Sequence, residues 1–219
     1  MKGYDANMNS AIKLEGVSKS FRGNTLFSDV NLDIEQGAIV GFRGINGSGK
    51  SVLFKIIAGL YSPDVGNVVI QGEKIGEKID FPDSVGILVD SPGFIEVFSG
   101  FDNLRLLAEI KGKINLQIIK SAMYELGLDP ENKKRVKNYS LGMKQKLGII
   151  QATFEGQSIV LLDEPFNALD ESSNKCLYEL IQRLKQQNVT VLLTSHNQAD
   201  LDALCDIQYT VPTFDKWVS

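Results

Sequence analysis

Thiol chemistry has little to work with in this sequence: its 219 residues contain two cysteines, Cys176 and Cys205, and neither has partners at metal-ligand spacing. A disulfide framework or thiolate metal centre is therefore not expected, and both residues read as reduced core or surface thiols of a cytosolic protein. Long apolar runs are missing too. None approaches the ~18 residues that a membrane-spanning helix requires, and residues 1–11 carry no hydrophobic signal core, so a soluble chain that is not exported is expected. Positive charge is not in excess either. Lysine and arginine total 23 against 27 acidic residues, with a pI near 5.1, so no global field favours nucleic acid as a partner. The one basic cluster, Lys133-Lys134-Arg135-Val136-Lys137, reads as a solvated loop face. Repeats, low-complexity tracts and long linkers are absent, and histidine is reduced to a single residue, His196.

What is present begins with enough apolar material, 43% of residues, to bury one sizeable core. Within it lies Gly44-Ile45-Asn46-Gly47-Ser48-Gly49-Lys50-Ser51, which fits the pattern G-x-x-x-x-G-K-[ST]. The apolar run 38–42 precedes it and a helix-forming run starting at Val52 follows, so the pattern has the strand–loop–helix setting that a phosphate-binding loop needs. Glycines let successive backbone N–H groups turn inward without a Cβ in the way, making a nest for phosphate oxygens at a helix N-terminus. Lys50 adds a compact positive charge for the β- and γ-phosphates, and the Ser51 hydroxyl suits a Mg²⁺ ligand position. The chain is expected to bind a nucleoside triphosphate.

Along the chain, residues 12–21 and 28–35 alternate apolar and polar side chains as half-buried strands do, with Gly23-Asn24 as the turn of an antiparallel hairpin. Short strands are expected at 68–70 and 85–89. From about 95 to 138 the spacing becomes helical: Leu104, Leu107, Ala108 and Ile110, then Ile118, Ile119, Ala122, Met123 and Leu126. Helix and strand alternate afterwards, with helices at 141–154, 171–187 and 197–205 and strands at 158–162 and 189–194. The pattern predicts a single α/β unit over 1–219 with a mostly parallel central sheet. Segments 1–94 and 139–219 form its core with an N-terminal antiparallel β edge, and 95–138 an inserted helical subdomain.

The strand 158–162 is apolar throughout and ends in Asp163-Glu164, at the carboxyl edge where ligands sit in open α/β sheets. Asp163 is placed to hold Mg²⁺, directly or through water. Strand alternation points Glu164 the other way, free to take a proton from an attacking water. His196 follows another core strand at the same edge, where an imidazole can orient a γ-phosphate or simply be a satisfied surface residue. Ser140 fits the N-cap of the helix carrying Gly142, which makes a second anion-binding end. One chain has no obvious second phosphate for it, so this surplus points to a partner chain.

In this order the motifs resemble those of the ATP-binding-cassette ATPases over almost the whole chain. Gly44 to Ser51 is similar to the Walker A loop, Ile159 to Glu164 to the Walker B strand with its catalytic glutamate, and Ser140-Leu141-Gly142-Met143 to the signature motif. Ala168-Leu169-Asp170 resembles the D-loop, His196 the switch histidine, and Phe21 the aromatic that stacks on adenine. The resemblance implies ATP and Mg²⁺ as ligands and two cassettes closing head to tail, each Walker A loop facing Ser140 and Gly142 of the other. It departs from the family in three places. Asp90 stands where the family has a glutamine, leaving an acidic residue to bind metal or order water. The signature reads Ser-Leu-Gly-Met, which with Ser91-Pro92-Gly93-Phe94 looks like cassettes of the bacitracin- and lantibiotic-export type. Arg43 replaces a commonly small or apolar residue before the loop.

The resemblance implies the ATP-hydrolysing motor subunit of an export-type transporter, whose membrane permease is a separate polypeptide that holds this chain at the cytoplasmic face. Phe94, Ile95, Phe98 and Phe101 are the candidate docking patch, or alternatively part of the helical lobe's own core. A non-transport cassette ATPase, or a regulatory cassette that binds ATP with little turnover, is the alternative. No nucleic acid is expected.

Overall fold

Alternation of apolar and polar side chains builds the first layer. Strand β2 (Asn24–Glu35) buries Phe27, Val30, Leu32 and Ile34 and exposes the alternating Asn31, Asp33 and Glu35. It pairs antiparallel with β1 (Ser10–Phe21) around a turn at Arg22 and Gly23. On its other side β1 pairs with β4 (Val65–Ile70), which in turn carries the short β5 (Glu73–Lys74). The expected antiparallel edge is thus a separate four-stranded sheet. The computed structural model describes residues 10–91, 93–112 and 115–218. Residues 1–9 of the expected core and Pro92 of the Ser91–Phe94 stretch lie outside these.

The second sheet has six strands in the order β10 (Asp215–Val218), β9 (Ile207–Thr210), β3 (Ile39–Arg43), β8 (Thr190–Thr194), β7 (Ile159–Leu162) and β6 (Val85–Leu88). All neighbours are parallel except β10 on β9. Both faces of this sheet are covered, which is why β7 and β8 are buried at every residue. Ile159, Leu161 and Leu192 face a core shared with the antiparallel sheet and α1 (Lys50–Ile57). Val160, Leu162, Val191 and Leu193 face the opposite core, shared with the remaining helices. Strands β9 and β10 are not among the sequence expectations. Arg43, whose role the sequence leaves open, is explained by β9: its Nε donates to Thr210 Oγ1 at 2.8 Å beside the β3–β9 register.

The insertion contains α2 (Gly100–Lys111) and α3 (Leu116–Glu125), followed by a single 3₁₀ turn at Val136–Asn138. Leu104, Ala108, Ile119, Met123 and Leu126 are buried as the spacing predicts. Ile110 and Ile118 are not; they are 81% and 50% exposed. Ile118 sits one residue, about 100° of helix rotation, from the buried Ile119, and Ile110 lies on the far side of α2 from Ala108. Instead of closing on a core of their own, the buried residues of α2 and α3 join the cluster that contains Val160, Leu162, Val191 and Leu193. Three further helices, α4 (Leu141–Thr153), α5 (Glu171–Gln186) and α6 (Gln198–Leu204), complete that layer.

Because this core is continuous, Leu104→Ala is expected to cost about 2–5 kcal/mol, which for a chain of this size lowers Tm by roughly 5–15 °C. Calorimetry should show the whole transition moving as one peak. A separate low-temperature transition confined to the insertion would contradict the shared core.

Candidate active site

The parallel register sets Phe42 beside Thr194 and Leu162 beside Leu193, so the carboxyl ends of β3, β7 and β8 open at one edge. The loops leaving these strands enclose a cavity of about 300 Å³ lined by Asn46 to Val52, Asp163, Glu164, His196 and Leu26. A larger groove of about 530 Å³ lies between the end of α1 and β4–β5, lined by Tyr61, Ile75 and Phe81 with the Lys74–Glu77 ion pair. Chemistry, more than volume, singles out the smaller one.

Helix α1 starts differently from the other α-helices. Each of α2 to α6 begins on a side chain that accepts a backbone N–H: Ser99, Asn115, Ser140, Asp170 and Asn197. Helix α1 begins on Gly49, in the left-handed region at φ 105°, with no side-chain cap. Its first N–H groups are left for a ligand, and the helix dipole makes an anion the favoured one. Ser48 Oγ is buried with no hydrogen-bond partner in the chain. The Lys50 ammonium, also buried, donates to Gly44 O at 2.8 Å and Ile45 O at 3.2 Å, which holds it over the loop. Ile45 itself is 80% exposed and points out of the cavity lining.

Across the cavity, the Ser51 hydroxyl donates to Asp163 Oδ2, and the Thr194 hydroxyl donates to Asp163 Oδ1 at 2.7 Å. Thr194 Oγ1 also accepts the Glu164 N–H at 2.8 Å. The expected divergence of the two carboxylates is corrected here: both line the same cavity. Glu164 lies beyond the end of β7 with φ 50°, and this left-handed turn cancels the alternation of a strand. Its Oε2 accepts the His196 backbone N–H at 3.1 Å. Its Oε1 lies 3.2 Å from His196 Nε2 but outside hydrogen-bond alignment, and so is buried without a bonded partner. Burial pushes the Glu164 carboxyl above the usual carboxylate range, against the pull of His196 and Lys50.

The other expected site residues lie elsewhere. Phe21, 42% exposed at the end of β1, meets the edge of Tyr61 at 6.0 Å and does not line the cavity. Asp90 likewise stands off the cavity lining, because its Oδ2 is 2.5 Å from Lys55 Nζ of α1; this carboxylate holds the Lys55 ammonium above its ordinary value. Ser140 caps α4 by accepting the Met143 N–H at 3.2 Å, with Leu141 beside it 71% exposed. Gly142 has no room for a side chain: a Cβ there would stand 2.5 Å from Ala168 O. Neither Ser140 nor Gly142 approaches the phosphate loop of its own chain closely enough to line its cavity.

The site is thus a glycine loop with an uncapped helix, a buried lysine, and a carboxylate pair facing the sole histidine. Residues 27–167 match the family described as ABC transporter. The chain belongs to that family, as one of its ATP-binding-cassette ATPases. It is 36% identical over 196 residues to the "Uncharacterized ABC transporter ATP-binding protein YybJ" of Bacillus subtilis (strain 168), covering 90% of each. It is 31% identical to the bacitracin transport ATP-binding protein BcrA of Enterococcus faecalis, covering 91% of this chain and 66% of that protein. The lantibiotic transport ATP-binding protein SrtF of Streptococcus pyogenes is 30% identical, with 89% and 84% covered. The dimeric cassette MJ0796 superposes with a TM-score of 0.82 at 24% identity, covering 91% of this chain and 94% of that one. Among the described residues, no helix of this ABC ATPase is long and apolar enough to cross a membrane.

Sequence reasoning missed Thr194, whose hydroxyl ties the two carboxylates together from inside an apolar strand. It also missed Gln145, whose Nε2 donates to the carbonyls of Glu164 and Pro165, both at 3.1 Å. Asp170, the N-cap of α5, accepts from the Ser173 hydroxyl and N–H and from the Ser172 hydroxyl, and these bonds hold its carboxyl down to about 2. A depressed carboxyl stabilises the fold above its unfolded value, about 3.9, and that gain disappears as pH falls through the folded one. Asp170→Asn is therefore expected to lower the urea midpoint at pH 7. The gap from wild type should narrow between about pH 4 and about 2; a pH-independent gap would show that the charge contributes nothing.

Proposed function

We propose that this chain is the ATP-hydrolysing motor subunit of an export-type ABC transporter, driving a separate membrane permease and working as a head-to-tail pair of cassettes. Residues 95–138 serve as its helical subdomain. The observation that carries this reading is the division of anion-binding groups. Lys50, Ser51, Asp163, Glu164 and His196 surround one cavity, while Ser140 and Gly142 do not line it. A second chain would bring its own Ser140 and Gly142 to this cavity; that the similar MJ0796 cassette is dimeric supports a pair of chains. The transport names of the bacitracin and lantibiotic relatives support a permease partner and an export direction, and with it a place on the cytoplasmic face of a membrane.

In this reading the loop amides and Lys50 hold the β- and γ-phosphates of ATP, and Phe21, already exposed, stacks on the base. Ser51 and Asp163 fit Mg²⁺. Two oxygen donors already meet there, and few protein ligands are usual for Mg²⁺ bound partly through phosphate oxygens. Bound there, the ion would neutralise charge developing on the phosphoryl oxygens. Glu164, with Oε1 lacking a bonded partner and its carboxyl raised by burial, orients and deprotonates the attacking water. His196 contacts the γ-phosphate. Asp90, paired with Lys55, connects this edge to the helical segment and takes part in the metal's surroundings only if that pair opens.

Glu164→Gln is expected to reduce kcat by about a hundredfold or more and to give an ATP-dependent dimer in sedimentation or light scattering. Normal turnover in this variant, or a monomer with saturating MgATP, would contradict the reading. For the permease contact, two of the four candidate residues are already used: Phe94 and Phe101 pack against the core. Ile95 and Phe98 stay 48% and 40% exposed, with Val97 between them at 57%. The double substitution Ile95→Ser and Phe98→Ser is accordingly expected to abolish co-purification with the permease while leaving the ATPase rate of the isolated chain intact; retained co-purification places the contact elsewhere.

A further inference from the structure

Behind the switch histidine lies a polar cluster with no part yet in the mechanism. Asp200, only 9% exposed, receives three side-chain donors. Tyr178 Oη donates to its Oδ1 at 2.7 Å, Ser195 Oγ to its Oδ2 at 2.7 Å, and Asn197 Nδ2 to its Oδ1 at 3.2 Å. Two of these donors flank His196 directly. The Asn197 N–H closes the arrangement by donating to Ser195 Oγ at 3.1 Å. The backbone of residues 195–197 is therefore fixed on both sides of His196, whose own N–H and imidazole face Glu164.

The third donor comes from a different element. Tyr178 is on α5, and its ring lies 5.2 Å from that of Phe166, in the segment that follows Glu164 and Pro165. Burial, with hydrogen bonding to Asp200 second, pushes the Tyr178 phenol above its ordinary range, so it remains a donor throughout the working pH range. One buried carboxylate thus joins the loop carrying His196 to the helix that packs on the segment carrying Glu164.

We propose that Asp200 is a positioning residue for hydrolysis: through Ser195 and Asn197 it holds His196 against Glu164, with Tyr178 fixing the carboxylate itself. This rests on Glu164 and His196 acting as proposed. Three convergent donors match a carboxylate, which only accepts; an amide at this position leaves Ser195 Oγ, already an acceptor, facing an N–H. Because such pairs act in a water-poor site, a displacement on the order of 1 Å can cost about a hundredfold in rate.

The test uses the purified full chain with MgATP. As the chain has one histidine, its imidazole proton resonances need no assignment and report the Glu164 contact directly. Asp200→Ala is expected to lower kcat about tenfold or more, with KM for MgATP changed by less than about threefold. It should also move the His196 resonance toward its position in Glu164→Gln. Tyr178→Phe, which deletes one oxygen, should shift both readouts the same way by less, and Asp200→Asn should recover part of the loss. If Asp200→Ala proves unfolded, Tyr178→Phe decides alone. Wild-type kcat or an unmoved His196 resonance in the folded variants overturns the proposal. Should Glu164→Gln itself turn over normally, the reading of Glu164 fails first, a result distinct from silent Asp200 and Tyr178 variants beside an inactive Glu164→Gln.

Discussion

The Thr194 hydroxyl is the joint on which the catalytic edge depends. It is fully buried in β8, donates to Asp163 and accepts from the Glu164 N–H, and so ties the end of one central strand to the end of the next. A buried hydroxyl left unpaired costs about 1–3 kcal/mol, so satisfying it on both sides makes this geometry strongly preferred. The preference is needed because Glu164 occupies the left-handed region, which a non-glycine residue enters at a cost of about 1–3 kcal/mol. The bent backbone turns the second carboxylate back into the cavity, where the His196 N–H meets it. Without that bend Asp163 and Glu164 would face opposite sides of the sheet.

The strand–loop–helix around Gly44 to Ser51 was legible in the sequence because phosphate-binding chemistry requires particular residues in a particular order between a strand and a helix. The buried strands were equally legible, since a sheet covered on both faces demands unbroken apolar runs such as Ile159–Leu162. What stayed hidden is what depends on partners far along the chain. Asp90 could be matched to a family position, but its pairing with Lys55 required the loop to return beside α1. Phe94, Ile95, Phe98 and Phe101 divide into two partly buried and two exposed residues, and the loop that carries the first three has no period from which to read that division. Ile110 and Ile118 show the converse: an apolar residue within a helical pattern can still fall outside the buried stripe. Thr194 looked like one more β-branched strand residue, and strand alternation predicted the wrong direction for Glu164 because one positive φ overrides it.

Alternation also explains how one sheet serves two cores. Along β7 and β8, successive residues go to the antiparallel-sheet side and to the helical side, so the edge at their carboxyl ends is braced from both directions. Helix α1, whose Leu53, Phe54, Ile56 and Ile57 are buried on the first side, presents its uncapped N-terminus at that edge. Burial of the helix flank stabilises it well beyond what its eight residues could manage through propensity. Its first turn can therefore forgo a cap and remain available to an anion.

The N-terminal end of α4 is bound mechanically to the same edge, although it does not line the cavity. Gly142 lets the Ala168 carbonyl come closer than any side chain would permit, and Gln145, one turn further on, bonds the carbonyls of Glu164 and Pro165. The start of α4 and the 164–168 segment thus form one packed unit. In a head-to-tail pair, the group that grips the other chain's phosphate would be in direct contact with the segment carrying this chain's own catalytic carboxylate. In that proposed pair, a ligand bridging both chains would bias both sites at once, because only the closed arrangement would satisfy its terminal phosphate. Such a coupling would require no long pathway: within each chain it would span one turn of helix and two backbone carbonyls.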